Sequence, residues 1–281
     1  MQLAFVRRIE AISARAWPAA ATTFDGAWAV RLTGSHPSKR LNSVNPLDPG
    51  DTADMGRRIE RARTRFDAMG RPLVFRISPL APDRLAARFE RHGWRSFDRT
   101  LVMTASLDDM DLDDAPSRIG LSDPGRWIEA AIAVGAFPAD RRPGTFEIIA
   151  RAGGPSGVAG PATSATAAAG IRNHLELHLV ERDDDPAAVC LSVRFLDTVG
   201  ILQVATAPHL RRQGLGRSLL VGALANARRA GAKTAWLQVL DENVAAIDLY
   251  RSLGFGEAYA YDYRIAPEDD PRPRRTRAGA A

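Results

Sequence analysis

Two stretches of this chain follow the same order of strand, short loop, helix, glycine–aromatic pair and strand, and they align without a gap. Subtracting 161 from the later positions places Gly254 on Gly93 and Phe255 on Trp94. Self-similarity at a constant offset indicates that one supersecondary unit occurs twice. Two unrelated β-α-β units can resemble each other by chance, but the glycine–aromatic pair in register favours duplication. The sequence therefore predicts two related halves.

The composition is that of a folded globular protein. The chain has 281 residues, of which 45% are hydrophobic and 25% charged, which fits one large domain or two ordinary ones. These values exclude a wholly disordered chain, a collagen-like fibre and a small disulfide-stapled module. No apolar run approaches the roughly 20 residues that cross a bilayer, and Arg7 and Arg8 end the first one too early for a secretory segment. With Cys190 as the single cysteine, we expect a soluble, cytoplasmic protein.

The basic residues are almost all arginine, since only Lys39 and Lys233 are lysines. The net charge is +5, from 38 basic and 33 acidic residues. Arginine binds phosphate oxygens in pairs, so this balance fits a nucleic acid, a phosphorylated cofactor or a compositional bias. The sequence has no RNA-recognition signature and no zinc-finger spacing. We therefore expect neither a nucleic-acid partner nor a membrane partner.

An acidic stretch that ends in proline, residues 106–116, predicts a linker between the halves. It separates an N-terminal domain, 1–115, from a C-terminal domain, 116–266. Residues 153–170 contain only Gly, Ala, Pro, Ser, Thr and Val and predict a mobile loop. Residues 267–281, with prolines and arginines among acids, predict a disordered tail.

Hydrophobic periodicity and turn residues predict strands and helices in both halves, and hence an α/β (α+β) fold. The predicted strands cover residues 28–32, 40–44, 72–77, 100–105, 175–181, 188–196, 200–206, 234–240 and 258–265. The predicted helices cover residues 51–69, 82–92, 125–137, 145–151, 214–230 and 244–253.

The strongest motif is Arg-Arg-Gln-Gly-Leu-Gly at residues 211–216. It lies where the strand predicted at 200–206 leads into a helix. Glycine lets the backbone approach a ligand closely, and N–H groups at a helix N-terminus bind phosphate. The motif lacks the Lys-Ser/Thr pair of a P-loop and the third glycine of a dinucleotide fingerprint. By itself it is either an anion site or a tight turn with solvated arginines.

The surroundings of this turn resemble the GNAT acetyltransferase superfamily. Its acyl-CoA-binding motif, R/Q-x-x-G-x-G/A after a strand, is matched by Arg211, Gly214 and Gly216. Its second signature, N-x-x-A-x-x-x-Y-x-x-x-G-F, is matched by Asn243, Ala246, Tyr250, Gly254 and Phe255. The resemblance covers about residues 118–265. It implies two GNAT-like domains, each a mixed, mostly antiparallel twisted sheet flanked by helices, with a degenerate N-terminal copy as in tandem members.

This resemblance implies an acetyl-CoA-dependent N-acetyltransferase in which an amine attacks the thioester directly. Acyl-CoA would lie in the wedge of a splayed strand pair, with Val204 and Thr206 offering backbone groups to its acyl and pantetheine arm. Residues 213–216 would hold the pyrophosphate. The implied cofactor-binding residues are Val204, Ala205, Thr206, Arg211, Arg212, Gln213, Gly214, Leu215, Gly216, Arg217, Asn243 and Tyr250.

Tyr250 is the expected catalytic residue, because a departing thiolate needs a proton or a hydrogen bond that a phenol supplies. The alternative is a tyrosine packed in the core. Phe89 stands at the corresponding place in the first half, which we therefore expect to be catalytically silent. Asn243 is expected to cap its helix, and the family also lets it bond the cofactor arm or a water.

The general base is not identified by the sequence. The strand at 200–206 contains no acid, and the amide of Gln203 cannot accept a proton. A water chain, a free amine or an acid elsewhere would serve. The geometric candidates are Asp197, Glu242 and Asp262, for each of which a solvated surface charge is the alternative.

Three further residues alternate along a predicted strand, namely His174, Glu176 and His178. Their order is not the helical His-Glu-x-x-His pattern of a zinc site, and the sequence offers no further ligand for two histidines. We therefore expect no metal. Cys190 lies in a hydrophobic strand and is expected to be a buried structural thiol.

Two functions from different classes stay open. The first is the enzyme, with a small-molecule or peptide amine as acceptor, as a monomer or homodimer. The second is a non-catalytic protein that senses acyl-CoA or holds a protein partner on the same fold. The missing carboxylate favours the second function, and Tyr250 favours the first.

Overall fold

A computed structural model describes residues 2–112, 123–153 and 172–271. These residues form seven α-helices and ten strands, which confirms the predicted mixed fold class. The helices are α1 Leu3–Ala16, α2 Met55–Asp67, α3 Asp83–Arg91, α4 Pro124–Ala133, α5 Arg142–Gly153, α6 Leu215–Arg229 and α7 Val244–Ser252. The strands are β1 Ala21–Asp25, β2 Trp28–Leu32, β3 Ser43–Pro46, β4 Val74–Ile77, β5 Arg95–Ser106, β6 His174–Arg182, β7 Asp185–Phe195, β8 Thr198–Thr206, β9 Thr234–Leu240 and β10 Gly256–Ile265. No helix within these ranges is long and apolar enough to cross a membrane.

The chain divides into two compact units that interleave along the sequence. The C-terminal unit contains Arg8–Pro18 and Leu101–Tyr259, and the N-terminal unit contains Gln2–Arg7, Ala19–Thr100 and the residues after Tyr259. The division passes through β5 and β10, each of which begins in one unit and ends in the other. The sequence, by contrast, predicted contiguous domains that meet at residue 115.

In the C-terminal unit the strands follow the order β5-β9-β8-β7-β6. Strand β7 pairs antiparallel with β6 and β8, whereas β8 and β9 run parallel. Helix α6 packs mainly on β7 and β8, and α4 packs mainly on β7. The indoles of Trp127 and Trp236 are fully buried and form the bulkiest parts of this core.

In the N-terminal unit the strands follow the order β1-β2-β3-β4-β10-β5. Helix α2 buries Ile59, Ala62 and Phe66, whose spacing of three and four residues places them on one face. This face packs in a cluster of buried apolar residues around Phe75, whose ring meets the Trp28 indole edge-on at 5.4 Å between centroids. The core of this unit therefore lies between the sheet and its helices.

The repeat in the sequence extends to the sheet. Each half presents three strands, a helix, a strand, a helix and a strand in chain order. In the parallel strand pairs, Val44 registers with Phe75 in one half and Gly200 with Trp236 in the other. Phe75 and Trp236 are separated by the same 161 residues that relate the two glycine–aromatic pairs. A Cβ atom on Gly200 would overlap the Trp236 indole, whereas the smaller Phe75 leaves room for Val44. The glycine is thus the partner that the larger ring requires.

Two elements were missed by the sequence-based prediction. Helix α1 buries Val6, Ile9 and Ile12 at intervals of three residues, a pattern that predicts a helix and was overlooked. Strand β1 lacks such a pattern, because its residues are mostly exposed. The strand predicted at 40–44 begins only at Ser43, after a 3₁₀ turn over Lys39–Leu41.

The predicted linker and tail are partly built into the fold. Leu107, Met110 and Leu112 are buried, and Arg228 donates hydrogen bonds to the first two carbonyls. Apolar residues between the aspartates therefore anchor the start of this stretch. In the predicted tail, three carboxylates form ion pairs, Glu268 and Asp269 with Arg63 and Asp270 with Arg95. The rest of both segments, and the loop predicted at 153–170 from residue 154 onward, lie outside the described residues.

Candidate functional site

The parallel pair β8–β9 opens along its length. Its register runs from Thr198↔Thr234 to Ile201↔Leu237, whereas β8 itself continues to Thr206. Beyond Ile201, β8 carries a bulge: Leu202 and Ala205 face Leu191 and Val189, so β8 has one residue more than β7. Gln203 in this bulge has a φ of 53°. A bulge bends its strand, so β8 leaves β9 at this point and forms the predicted wedge.

The predicted phosphate-binding turn, residues 211–216, follows the end of β8. The chain passes through a 3₁₀ turn at Pro208–Leu210 and enters α6 at Leu215. The first N–H that bonds within the helix near this end is that of Ser218, to the Gly214 carbonyl at 2.9 Å. The three preceding N–H groups have no helical acceptor, and they carry the positive end of the helix dipole. This end of α6 is therefore suited to bind an anion.

Three arginines surround the turn and contact neutral oxygens. Arg211 donates from Nε to the Thr206 carbonyl at 3.3 Å. Arg182, at the end of β6, donates to Gln213 Oε1 at 2.6 Å, and Arg217 donates to Ser252 Oγ at 3.0 Å. Because these oxygens carry no formal charge, the positive charge of the three guanidinium groups is not cancelled there. A phosphate at the turn would meet several charge-assisted donors.

The two glycines of the turn serve different purposes. Gly214 has a φ of 80°, and a Cβ atom there would meet nothing within 4 Å. Glycine is therefore required at this position by the backbone conformation and not by lack of space. At Gly216 a Cβ atom would lie 3.4 Å from Thr206 Oγ1 and 3.7 Å from Leu249 Cδ2. Gly216 therefore marks the place where the turn, the end of β8 and α7 approach one another.

Helix α7 brings Asn243 and Tyr250 to one face, two helical turns apart. Asn243 accepts a hydrogen bond from the Ala246 N–H at 3.3 Å, which confirms the predicted cap. Tyr250 is buried, and its ring meets that of Phe255 at 6.1 Å. Burial, with a smaller contribution from Cys190, raises the pKa of Tyr250 to about 12. The phenol is therefore protonated at neutral pH and can donate a hydrogen bond.

The acids suggested by the sequence do not gather at this place. Asp197 lies in the turn before β8, at the end of the strand opposite to the phosphate turn, and it pairs with Arg8, which lowers its pKa. Asp262 belongs to the N-terminal unit, where it contacts Ser96 and Arg264. Glu242 is exposed just before α7.

Cys190 lies in the buried middle of β7, as expected for a structural thiol. Desolvation, with a smaller contribution from Glu176, raises the pKa of this thiol above its usual value. A thiol with a raised pKa is protonated and unreactive at neutral pH.

The N-terminal unit has a counterpart of the phosphate turn that the sequence comparison missed. Subtracting 160 places Gly216 on Gly56 and Gly214 on Asp54. Both Asp54 and Gly214 stand at the start of their helices with positive φ, 47° and 80°. The offset differs by one residue from that of the glycine–aromatic pair, which hid the correspondence.

The charge of this counterpart is inverted, because Asp51 stands in the place of Arg211. The Asp51 carboxylate accepts hydrogen bonds from the buried Arg58 at 2.8 and 2.9 Å and from the Ala27 N–H at 2.7 Å. These contacts lower its pKa, so it stays ionised. An anion of the chain itself occupies the neighbourhood of this turn, which supports the hypothesis that this half binds no CoA.

One protein family and two individual proteins resemble this chain in sequence. The model of the family described as "Probable histone acetyltransferase Rv0428c C-terminal" matches residues 4–264. The ribosomal protein bS18-alanine N-acetyltransferase of Escherichia coli K12 is 43% identical over 72 residues, 26% of this chain and 49% of that protein. The match thus spans about half the length of this relative. The uncharacterized N-acetyltransferase YobR of Bacillus subtilis is 26% identical over 266 residues, 92% of this chain and 98% of YobR.

Two solved structures share the fold. A GCN5-related N-acetyltransferase from Kribbella flavida superposes with a TM-score of 0.62 at 18% identity, covering 93% of this chain and 95% of the other. A tandem GNAT protein from the clavulanic acid biosynthesis pathway superposes with a TM-score of 0.59 at 14% identity, covering 92% and 87%. Together with the family match over most of the chain, these likenesses place it in the GNAT superfamily, as a member of the Rv0428c C-terminal acetyltransferase family.

Proposed function

We propose that the chain transfers an acetyl group from acetyl-CoA to an amine, at one site in the C-terminal unit. The observation that carries the proposal is the coincidence of an anion-binding turn with the mouth of the β8–β9 wedge. The turn supplies free N–H groups and arginines, and α7 supplies a protonated phenol. These are the groups that a pyrophosphate and a departing thiolate require.

The chain's own residues divide the work of binding and proton handling. When bound, acetyl-CoA supplies an activated acetyl group. Beyond Ile201 the backbone of β8 is no longer paired with β9, so backbone groups of Val204 and the N–H of Thr206 can bond the pantetheine arm. Arg211, Arg212, Gln213, Leu215 and Arg217 lie at the turn and are exposed or half-buried, as a pyrophosphate site requires.

The Tyr250 hydroxyl acts chiefly as a hydrogen-bond donor to the sulfur. Burial raises its pKa to about 12, so the hydroxyl keeps its proton at neutral pH until a thiolate forms. A hydrogen bond to the developing negative charge on sulfur then stabilises the transition state.

The acceptor is an amine of a small molecule or a peptide. The bS18-alanine acetyltransferase acts, by its name, on a protein alanine, and the family description names histones. Both names favour a peptide amine for this chain. A cytoplasmic location, the lack of nucleic-acid and membrane partners, and a monomeric or homodimeric state stay predictions.

Calorimetry and an assay of thiol release test the proposal. Acetyl-CoA should bind the intact chain, and the double variant Arg211→Ala/Arg212→Ala should bind it at least tenfold more weakly, since two phosphate contacts are lost. Arg91→Ala, an exposed arginine on α3, is the matched control and should bind normally. Incubation with a panel of small and peptide amines should release thiol. Tight acetyl-CoA binding without thiol release from any amine would favour the acyl-CoA sensor instead.

A further inference from the structure

Four polar or ionisable side chains share one face of β6 and β7. The register pairs Glu176 with Ser192 and His178 with Cys190, and directly opposed residues of antiparallel strands point to the same face. The proposed function uses none of these four side chains.

The centre of the group is a buried histidine held in place on two sides. His178 Nε2 lies 2.8 Å from Ser192 Oγ and 3.5 Å from Glu176 Oε2. The carbonyl oxygens of His178 and Cys190 both accept from Trp127 Nε1, at 3.0 and 3.2 Å. His178 is fully buried, whereas the Glu176 side chain is 45% exposed. The bond to Ser192 holds the imidazole, the bonds from Trp127 hold the backbones of both strands, and the Glu176 carboxylate lies next to the ring and reaches solvent.

This group lies beside the groups that the acetyl transfer uses. Cys190 stands between Val189 and Leu191, the residues of β7 that face the bulge of β8. Ser192, which faces Glu176, pairs on its other side with Ile201, the last residue of β8 that registers with β9. The carboxylate therefore lies at the level where β8 leaves β9, and the contribution of Cys190 to the raised pKa of Tyr250 agrees with this placement.

Four other carboxylates of this unit form ion pairs with arginine. The ion pairs are Glu181–Arg126, Glu129–Arg142, Glu147–Arg151 and Asp197–Arg8. Glu176 instead contacts a histidine, which carries a charge only when protonated.

We propose that Glu176 is the general base of the acetyl transfer, with His178 as its positioning residue; this rests on the proposed function. The amine nitrogen forms a bond to the acetyl carbon, the carbon–sulfur bond breaks, and its electron pair stays on sulfur with a hydrogen bond from Tyr250. The proton of the amine passes to Glu176, directly or through one water, and then through solvent to the thiolate. Amine and thioester become amide and thiol, and the carboxylate is regenerated.

The variant Glu176→Gln keeps the size of the side chain and removes its basicity. The turnover number should fall by roughly 100-fold, the usual contribution of a general base, while acetyl-CoA affinity and melting temperature stay unchanged. Glu181→Gln, on the same strand and paired with Arg126, is the matched control and should keep the wild-type rate.

The pH profile separates a base from a merely structural residue. The titratable and charged groups on the face of Glu176 are His174 and His178 on its own strand, Arg194 and Cys190 on β7 and, beyond the thiol, Tyr250 on α7. Without the carboxylate, the rate should keep rising with pH until the acceptor amine itself loses its proton, so the gap to wild type narrows. Formate should also restore part of the rate of Glu176→Ala.

Three outcomes would count against the inference. A Glu176→Gln variant at the wild-type rate across the pH range would overturn the assignment and leave the proposed function intact. The same holds for a folded Glu176→Ala variant that is slow but gains nothing from formate. A wild-type chain that releases no thiol with any amine would overturn both.

Discussion

Single residues distinguish the two halves at their corresponding positions. Phe89 stands where Tyr250 stands, and Asp51 stands where Arg211 stands. The first exchange removes a hydrogen-bond donor, and the second turns an anion-binding turn into one that already holds a carboxylate. The motif residues of the C-terminal half could be named from the sequence because each follows from a local pattern. Glu176, the proposed base, could not be singled out, because its place level with Ile201 depends on the pairing of β6 with β7 and of β7 with β8.

At the residue scale, Tyr250→Phe tests the role of the hydroxyl. The ring stays, so packing against Phe255 and the melting temperature should be preserved. Acetyl-CoA affinity should be nearly unchanged, because the hydroxyl acts on charge that develops only in the transition state. The turnover number should fall by roughly 10- to 100-fold, the value of about 1.5–3 kcal/mol for a hydrogen bond to a charged group.

Steady-state kinetics on a confirmed acceptor, with chemistry shown to limit the rate, is the measurement. A phenylalanine variant that turns over like the wild type would remove the hydroxyl from the mechanism.

At the scale of elements, the sequence predicted regular segments well where hydrophobic periodicity is strong. Strand β9 was predicted at its observed bounds, and α6 and α7 within one residue at each end. The prediction was wrong where a tertiary contact determines where an element begins or how it bends. Helix α2 begins at Met55 rather than near Asp51, because the Asp51 side chain is engaged with Arg58 and Ala27 instead of capping the helix. The bulge of β8 was also invisible, since it is defined by the partner strand β7.

The contact between β8 and β9 yields an element-scale prediction. Gly200→Val places a side chain where the Trp236 indole lies, at the last part of the parallel pair before the wedge. Both strands must shift, so the unfolding free energy should fall by about 2–4 kcal/mol, more than a usual overpacked core costs. Acetyl-CoA affinity should fall with it.

Denaturant unfolding and calorimetry measure the two effects. Gly256→Val is a suitable control, because neither glycine has a positive φ and a Cβ atom at Gly256 meets nothing within 4 Å. Equal losses of stability in the two variants would show that the exchange of glycine for valine in a strand, and not the indole, governs Gly200.

At the scale of the whole molecule, the chain order and the spatial units do not coincide. Most of α1 belongs to the C-terminal unit, where Glu10 accepts a hydrogen bond from the Tyr259 hydroxyl at 2.6 Å and Arg15 stacks on the Phe195 ring at 4.4 Å. The last part of β5 also belongs to this unit. A cut at the predicted boundary would therefore leave each unit incomplete. Hydrophobic patterns locate elements along the chain, but they do not state which unit an element joins.

The fragment 116–281 tests this arrangement. It lacks Arg8–Pro18 and residues 101–106, so it should have no cooperative melting transition and should not bind acetyl-CoA. Co-expression with the fragment 1–115 supplies every missing part and should restore both properties, with one acetyl-CoA per pair. A fragment 116–281 that alone binds acetyl-CoA with full affinity would contradict the interleaved division.

Strand β10 lies between β4 and β5 in the sheet of the N-terminal unit, although it is the last of the ten strands to be synthesised. A ribosome that has made the first hundred residues has therefore produced a unit whose sheet has a gap, with two unpaired strand edges facing it. That gap stays open until residues 260–265 have emerged. During translation the half that comes first must be completed last, and the nascent chain carries exposed edges that favour aggregation for as long as synthesis of the other half takes.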